Sequence, residues 1–128
     1  MPQIYIAGIA MTVFGRHPDR SLADLAGEAL RGALADARCP PDAIESAFYS
    51  GITNGALQGQ LSIPGQIVLA KLGLEGIPIA NIENACASGS SGGASPMLPL
   101  RRSGSRTEAK HSTNAAVASA PITSAASA

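Results

Sequence analysis

The sequence predicts an α/β fold assembled from parallel βαβ units. Three observations carry that prediction. Over residues 1–93, short β-branched runs alternate with segments of helical apolar spacing, in the order strand, helix, strand, helix, strand. Ser21 opens a run whose leucines and alanines recur every three or four positions. The last strand passes directly into a cysteine followed by Ala, Ser and Gly, where a further helix begins.

Ile4-Tyr5-Ile6-Ala7-Gly8-Ile9 supplies the first strand, since β-branched and aromatic residues suit a pleated surface. Ser21-Leu22-Ala23-Asp24 then sets an N-cap serine three residues ahead of an acid that can answer it. Leu22, Leu25, Ala26, Ala29, Leu30, Ala33, Leu34 and Ala37 make one apolar stripe. Cys39-Pro40-Pro41 ends that helix, because a residue before proline avoids the helical region. Residues 44–52 read as the second strand, and residues 66–72 as a short helix with Gly73 at its C′ position. Residues 77–85 form the third strand, with Pro78 at its start, where a missing N–H is tolerated. Three strands make a small sheet, so at least one long edge is expected to lie open.

Composition narrows the function. With 9 Lys plus Arg against 9 Asp plus Glu, the 128 residues carry a formal net charge of 0. That offers no basic footprint for nucleic acid and no polybasic membrane anchor. Aromatics are 3% with no Trp, thin for a base-stacking platform. No stretch approaches the ~18 apolar residues of a membrane span. The start, Met-Pro-Gln-Ile-Tyr, lacks a basic leader, so a cytoplasmic protein is expected. Cys39 and Cys86 make neither a disulfide framework nor a zinc spacing, and no metal is expected.

Residues 94–128 differ in kind. They hold 9 Ala, 7 Ser and 3 Thr, no aromatic residue, and prolines at 96 and 99. Met97, Leu98, Leu100, Val117 and Ile122 are too sparse for a helix stripe or a strand alternation. Such a segment buries too little to offset its ordering entropy, which predicts a disordered tail after a domain over residues 1–93.

Chemistry concentrates at Cys86. A cysteine where strand gives way to helix lies beside first-turn N–H groups and the positive end of the helix dipole, which favour thiolate over thiol. The same N–H groups can hold a developing oxyanion. The small residues after it suit either a helix packed inside a core or a nucleophile reached by a long, thin substrate. The residues alone leave both readings open, nucleophile and buried structural thiol. Gly89-Ser90-Ser91-Gly92-Gly93 also fits the Gly-x-Ser-x-Gly elbow, with Glu108 and His111 downstream in that motif's order. Cys86, however, not Ser91, follows the strand, and no strands precede His111 to carry it back. No Gly-Lys-Ser/Thr follows the glycines, which removes a phosphate loop. Cys39 in a Cys-Pro-Pro loop reads as an inert thiol, and His17 as a solvated loop residue. Glu83 and Asn84, just before the turn, leave two readings open: side chains that orient neighbouring backbone, or, the reading favoured, residues with a structural role only.

Glu83-Asn84-Ala85-Cys86-Ala87-Ser88-Gly89-Ser90 resembles the nucleophile segment of thiolases, particularly the branch related to sterol-carrier-protein thiolases. The resemblance runs back through Gly73-Leu74-Glu75-Gly76-Ile77-Pro78, Asp42-Ala43-Ile44-Glu45, Ser21 to Ala26 and Phe14-Gly15-Arg16, covering about residues 4–93. It implies a partial thiolase N-terminal half-domain, βαβαβ followed by the start of the nucleophile helix. It also implies an acyltransferase acting on coenzyme A thioesters, with Cys86 as acyl acceptor and no tightly bound cofactor. Coenzyme A or an acyl-CoA enolate would then receive the acyl group, within a dimeric or tetrameric assembly. Thiolases further need Gly-His-Pro, Cys-x-Gly and Asn-Glu-Ala-Phe segments, none of which occurs in this sequence. Little or no turnover is therefore expected from this chain alone. The alternative is a non-catalytic thiolase-like piece that pairs with a full-length homologue through its open sheet edge. The composition break after Gly93 predicts a shift of reading frame there, because an Ala/Ser/Thr/Arg/Pro-rich run is what GC-rich DNA gives out of frame.

Overall fold

The computed structural model describes residues 5–52, 59, 62–94 and, for its backbone, 114–119. Its elements are β1 (Tyr5–Met11), α1 (Leu22–Ala37), β2 (Ala47–Ser50), α2 (Pro64–Ala70), β3 (Ile79–Ile82), α3 (Ser88–Ala94) and β4 (Asn114–Ser119). The α/β class expected from the sequence is the class observed.

Both ends of α1 are built from local chemistry. Ser21 is its N-cap in extended conformation, and with Asp24 it closes a full capping box. At the other end Arg38 takes a left-handed conformation (φ 51°), while Arg38 N–H and Cys39 N–H donate to the carbonyls of Ala35 and Leu34. That is a Schellman ending with an arginine where glycine is usual, followed by a 3-10 turn at Pro41–Ala43. Leu25, Ala29, Ala33 and Leu34 are the buried side of the expected stripe. The helix lies so close to β1 that a Cβ on Gly8 would meet the Ala33 carbonyl oxygen, and Ala37 N at 2.6 Å. Asp36 also accepts the N–H of Ile9 at 2.9 Å, fastening the end of the helix to the strand.

The strands do not form the single three-stranded sheet expected. β2 and β3 pair in parallel from Ala47↔Ile79 to Ser50↔Ile82, and β1 pairs in parallel with β4 in a second sheet. Residues 114–119 thus form a strand within the segment read as a tail; the rest of it lies outside the described residues. The physical reason is that a free strand edge offers rows of N–H and C=O groups. Backbone pairing there needs no apolar alternation. β2 and β3 are also shorter than expected. The first is confined to Ala47–Ser50, and Pro78 contributes only its carbonyl, which accepts Ala47 N–H at 2.9 Å.

α2 begins at Pro64, two residues before the expected start, because Pro suits the first helical position. It ends at Ala70, two residues before the expected end, and Gly73 beyond it is left-handed (φ 78°), with Gly73 and Leu74 N–H donating to the Ala70 and Leu69 carbonyls. Val68 and Leu74 are buried, and Leu72, in the turn after α2, packs over Gly27 of α1.

Candidate active site

β3 runs out at Ile82 and delivers Glu83, Asn84 and Cys86 to the carboxyl end of the parallel β2–β3 pair, the edge where open α/β sheets present ligand-binding groups. Cys86 is a free, exposed thiol. It is therefore not buried in the way a core cysteine is.

Two overlapping turns hold it. Ala87 N–H donates to the Asn84 carbonyl at 2.9 Å and Ser88 N–H to the Ala85 carbonyl at 3.1 Å, so Cys86 occupies a central position of both. Ala85 is left-handed (φ 45°), a conformation that disfavours an alanine and therefore marks a turn held by its surroundings. Glu83 Oε1 accepts Ala85 N–H at 2.8 Å, and the Asn84 amide donates to Ser91 Oγ at 3.0 Å. The buried Ser88 hydroxyl accepts Asn84 N–H at 2.7 Å and donates to the Ala85 carbonyl at 2.8 Å. Gly92, one turn further on, packs against β2 so closely that a Cβ would collide with the Ser50 hydroxyl.

The geometry corrects part of the expected electrostatics. α3 starts at Ser88, two residues after the cysteine, and has only 7 residues. The Ala87 and Ser88 N–H groups are consumed within the turns, so neither is available to an oxyanion. Glu83 orients backbone through Ala85 N–H, whereas the Asn84 side chain bonds the Ser91 hydroxyl instead. Ser91 lies inside α3 rather than on an elbow, and Glu108 and His111 lie outside the described residues. His17 bonds its own loop, Nε2 to the Val13 carbonyl at 2.8 Å, and Cys39 is half-buried beside the Pro40 carbonyl. The sequence reading passed over Ser88; its signal was a serine four residues after Asn84 at the mouth of a helix, in reach of the turn backbone. Among the described residues no three His, Cys, Asp or Glu side chains converge as a metal site. Among the same residues no helix is long and apolar enough to cross a membrane.

Parallel strands with a free cysteine at their carboxyl end, on a turn entering a small-residue helix, make up an α/β domain with an exposed thiol at the end of its strands. The family model described as "Thiolase, N-terminal domain" matches residues 4–96, and the chain belongs to the thiolase family. It is 38% identical over 93 residues to sterol carrier protein 2 of Oryctolagus cuniculus, covering 70% of this chain and 16% of that protein. It is 39% identical over 94 residues to non-specific lipid-transfer protein-like 2 of Caenorhabditis elegans, covering 71% and 21%. Over 91 residues it is 38% identical to the benzoylsuccinyl-CoA thiolase subunit BbsB of Thauera aromatica, covering 68% and 21%. The chain thus spans between 16% and 21% of the length of these relatives.

Proposed function

We propose that this chain carries the acyl-accepting half of a thiolase, with Cys86 as the nucleophile and an acyl-coenzyme A thioester as substrate. The Cys86 thiolate attacks the thioester carbonyl; the bond from acyl carbon to coenzyme A sulfur breaks as the bond to Cys86 Sγ forms. Coenzyme A leaves as a thiolate and takes up a proton from water. Sulfur suits this exchange because a thiolate is both a strong nucleophile and a good leaving group. The observation that carries the reading is the exposed Cys86 at the end of the parallel β2–β3 pair, on a turn fastened by its own neighbours. A relative named as a thiolase subunit for benzoylsuccinyl-CoA supports a coenzyme A thioester. Those named as sterol carrier and lipid-transfer proteins support an acyl group of lipid origin. A reducing compartment such as the cytoplasm would keep the thiol free. Neither His17 nor Cys39 serves as a base or proton carrier, so the reading predicts a stoichiometric acyl-enzyme with slow release. Incubation with acetyl-CoA or a longer acyl-CoA, followed by intact-mass measurement, tests this. A single acyl adduct on Cys86, absent from Cys86→Ser, is expected; an unmodified protein, or an adduct that survives in Cys86→Ser, overturns it.

A second reading is favoured by one observation. Tyr5, Ile9 and Met11 of β1 are 56%, 63% and 67% exposed, an apolar surface open to a partner. A non-catalytic chain that pairs with a full-length thiolase homologue would cover it. Light scattering of the two proteins mixed and apart separates the readings.

A further inference from the structure

We propose that Ser88 is a positioning residue: its hydroxyl holds the turn that aims Cys86, and acyl transfer to that thiol depends on it. The proposal rests on the reading of Cys86 as acyl acceptor. Ser88 is 6% exposed and sits at the first position of α3. Its Oγ accepts Asn84 N–H at 2.7 Å and donates to the Ala85 carbonyl at 2.8 Å, so one side chain grips the peptide groups on both sides of the Asn84–Ala85 corner. Ala85 is the residue in the left-handed region, where an alanine does not stay unaided. Glu83 also holds the corner, but from the exposed side, where water competes for the same N–H. Among the described residues the Ser88 hydroxyl makes no hydrogen bond with Cys86, and therefore acts through the backbone alone. Without it, Asn84 N–H and the left-handed corner lose their buried anchor, and Cys86 is free to swing with the turn. Misplacement by about 1 Å is enough to slow a positioned reaction about 100-fold. A small alkylating agent, which needs no fixed approach, is far less sensitive.

The test uses the full chain, with Ser88→Ala, Ser88→Thr, and Ser90→Ala as a control on an exposed serine. Three readouts are compared: Cys86 acylation by acetyl-CoA against concentration, Cys86 alkylation by iodoacetamide, and hydrogen exchange of the Asn84 amide. Ser88→Ala is expected to lower the limiting acylation rate ~10–100-fold, with alkylation within ~3-fold of wild type and Asn84 exchange at least ~10-fold faster. Ser88→Thr, which keeps the hydroxyl, should restore both altered readouts, and Ser90→Ala should change neither. Wild-type acylation together with a still-protected Asn84 amide in Ser88→Ala overturns the proposal. If wild-type protein is alkylated but never acylated, the acyl-acceptor reading falls, and Asn84 exchange still decides whether Ser88 holds the turn. Should Ser88→Ala not fold, an Asn84 amide that is unprotected in wild type overturns the proposal directly.

Discussion

Asn81 of β3 caps α2 from outside the helix: its Oδ1 accepts the N–H of Gly65 at 2.6 Å. The helix's own N-cap residue, Ile63, is left-handed and has no side chain able to accept a bond. A neighbouring strand therefore satisfies one of the free donors of the first turn. Gln66 completes the arrangement, accepting from Asn81 Nδ2 at 2.6 Å and donating to the Ile79 carbonyl at 3.3 Å. Asn81→Leu is expected to destabilise the protein by about 1–3 kcal/mol, because the half-buried Gly65 N–H loses its acceptor. Asn81→Asp, which keeps the acceptor, should cost less. Urea unfolding midpoints compare them.

The two thiols differ in access. Cys86 is exposed and Cys39 half-buried, its Sγ 3.7 Å from the Pro40 carbonyl. Brief iodoacetamide treatment and peptide mapping should find Cys86 modified several-fold faster. Equal labelling, or faster labelling at Cys39, contradicts the structure.

Acid should loosen the start of α1. The Ser21 hydroxyl, and after it the Ser21 backbone N–H, donate to Asp24 and hold its carboxyl below the ordinary value of 3.8. A carboxyl depressed in the folded state adds stability that is complete above its unfolded value and vanishes as pH falls through the folded one. The stability difference between wild type and Asp24→Asn should thus be constant near neutrality and shrink below about pH 4. Ser21→Ala removes the cap and should cost about 1 kcal/mol at neutral pH. Thermal melts at several pH values show both.

Thr12, directly after β1, is 1% exposed, and its Oγ1 has no hydrogen-bond partner among the described residues. Valine has the same shape without the stranded hydroxyl. Thr12→Val is expected to stabilise the fold by about 1 kcal/mol, read as a higher melting temperature.

The change of composition after Gly93 is open to a test without protein. The nucleotide sequence, read in all three frames past the Gly93 codon, should contain an Ala-rich helix followed by strands and the Asn-Glu-Ala-Phe, Gly-His-Pro and Cys-x-Gly segments. Frames empty of these rule out a shifted frame.

What the sequence made legible were the features written in consecutive residues. Ser21 and Asp24 announce the start of α1 and Gly73 the end of α2, because capping depends on neighbours three or four positions away. The strand that delivers Cys86 was legible for the same reason. Arg38 as the left-handed end of α1 was hidden, since no glycine marks it and the prolines after it draw the eye. Asn81 capping Gly65 was invisible too, because it joins residues 16 apart through tertiary contact. The strand at 114–119 was hidden as well, because its pairing joins residues about 110 positions apart.

The two parallel pairs differ greatly in how much chain they enclose. Ala47 meets Ile79 across about 30 residues, whereas Tyr5 meets Asn114 across about 110. Closing the larger loop costs about 1 kcal/mol more in chain entropy, before any contact compensates. Contacts local in the chain form fastest, so β2, α2 and β3 should come together first, with β1–β4 pairing last. On that order the corner bearing Cys86 belongs to the early, independently nucleating part of the chain. During synthesis its thiol would reach its final setting before residue 114 has left the ribosome.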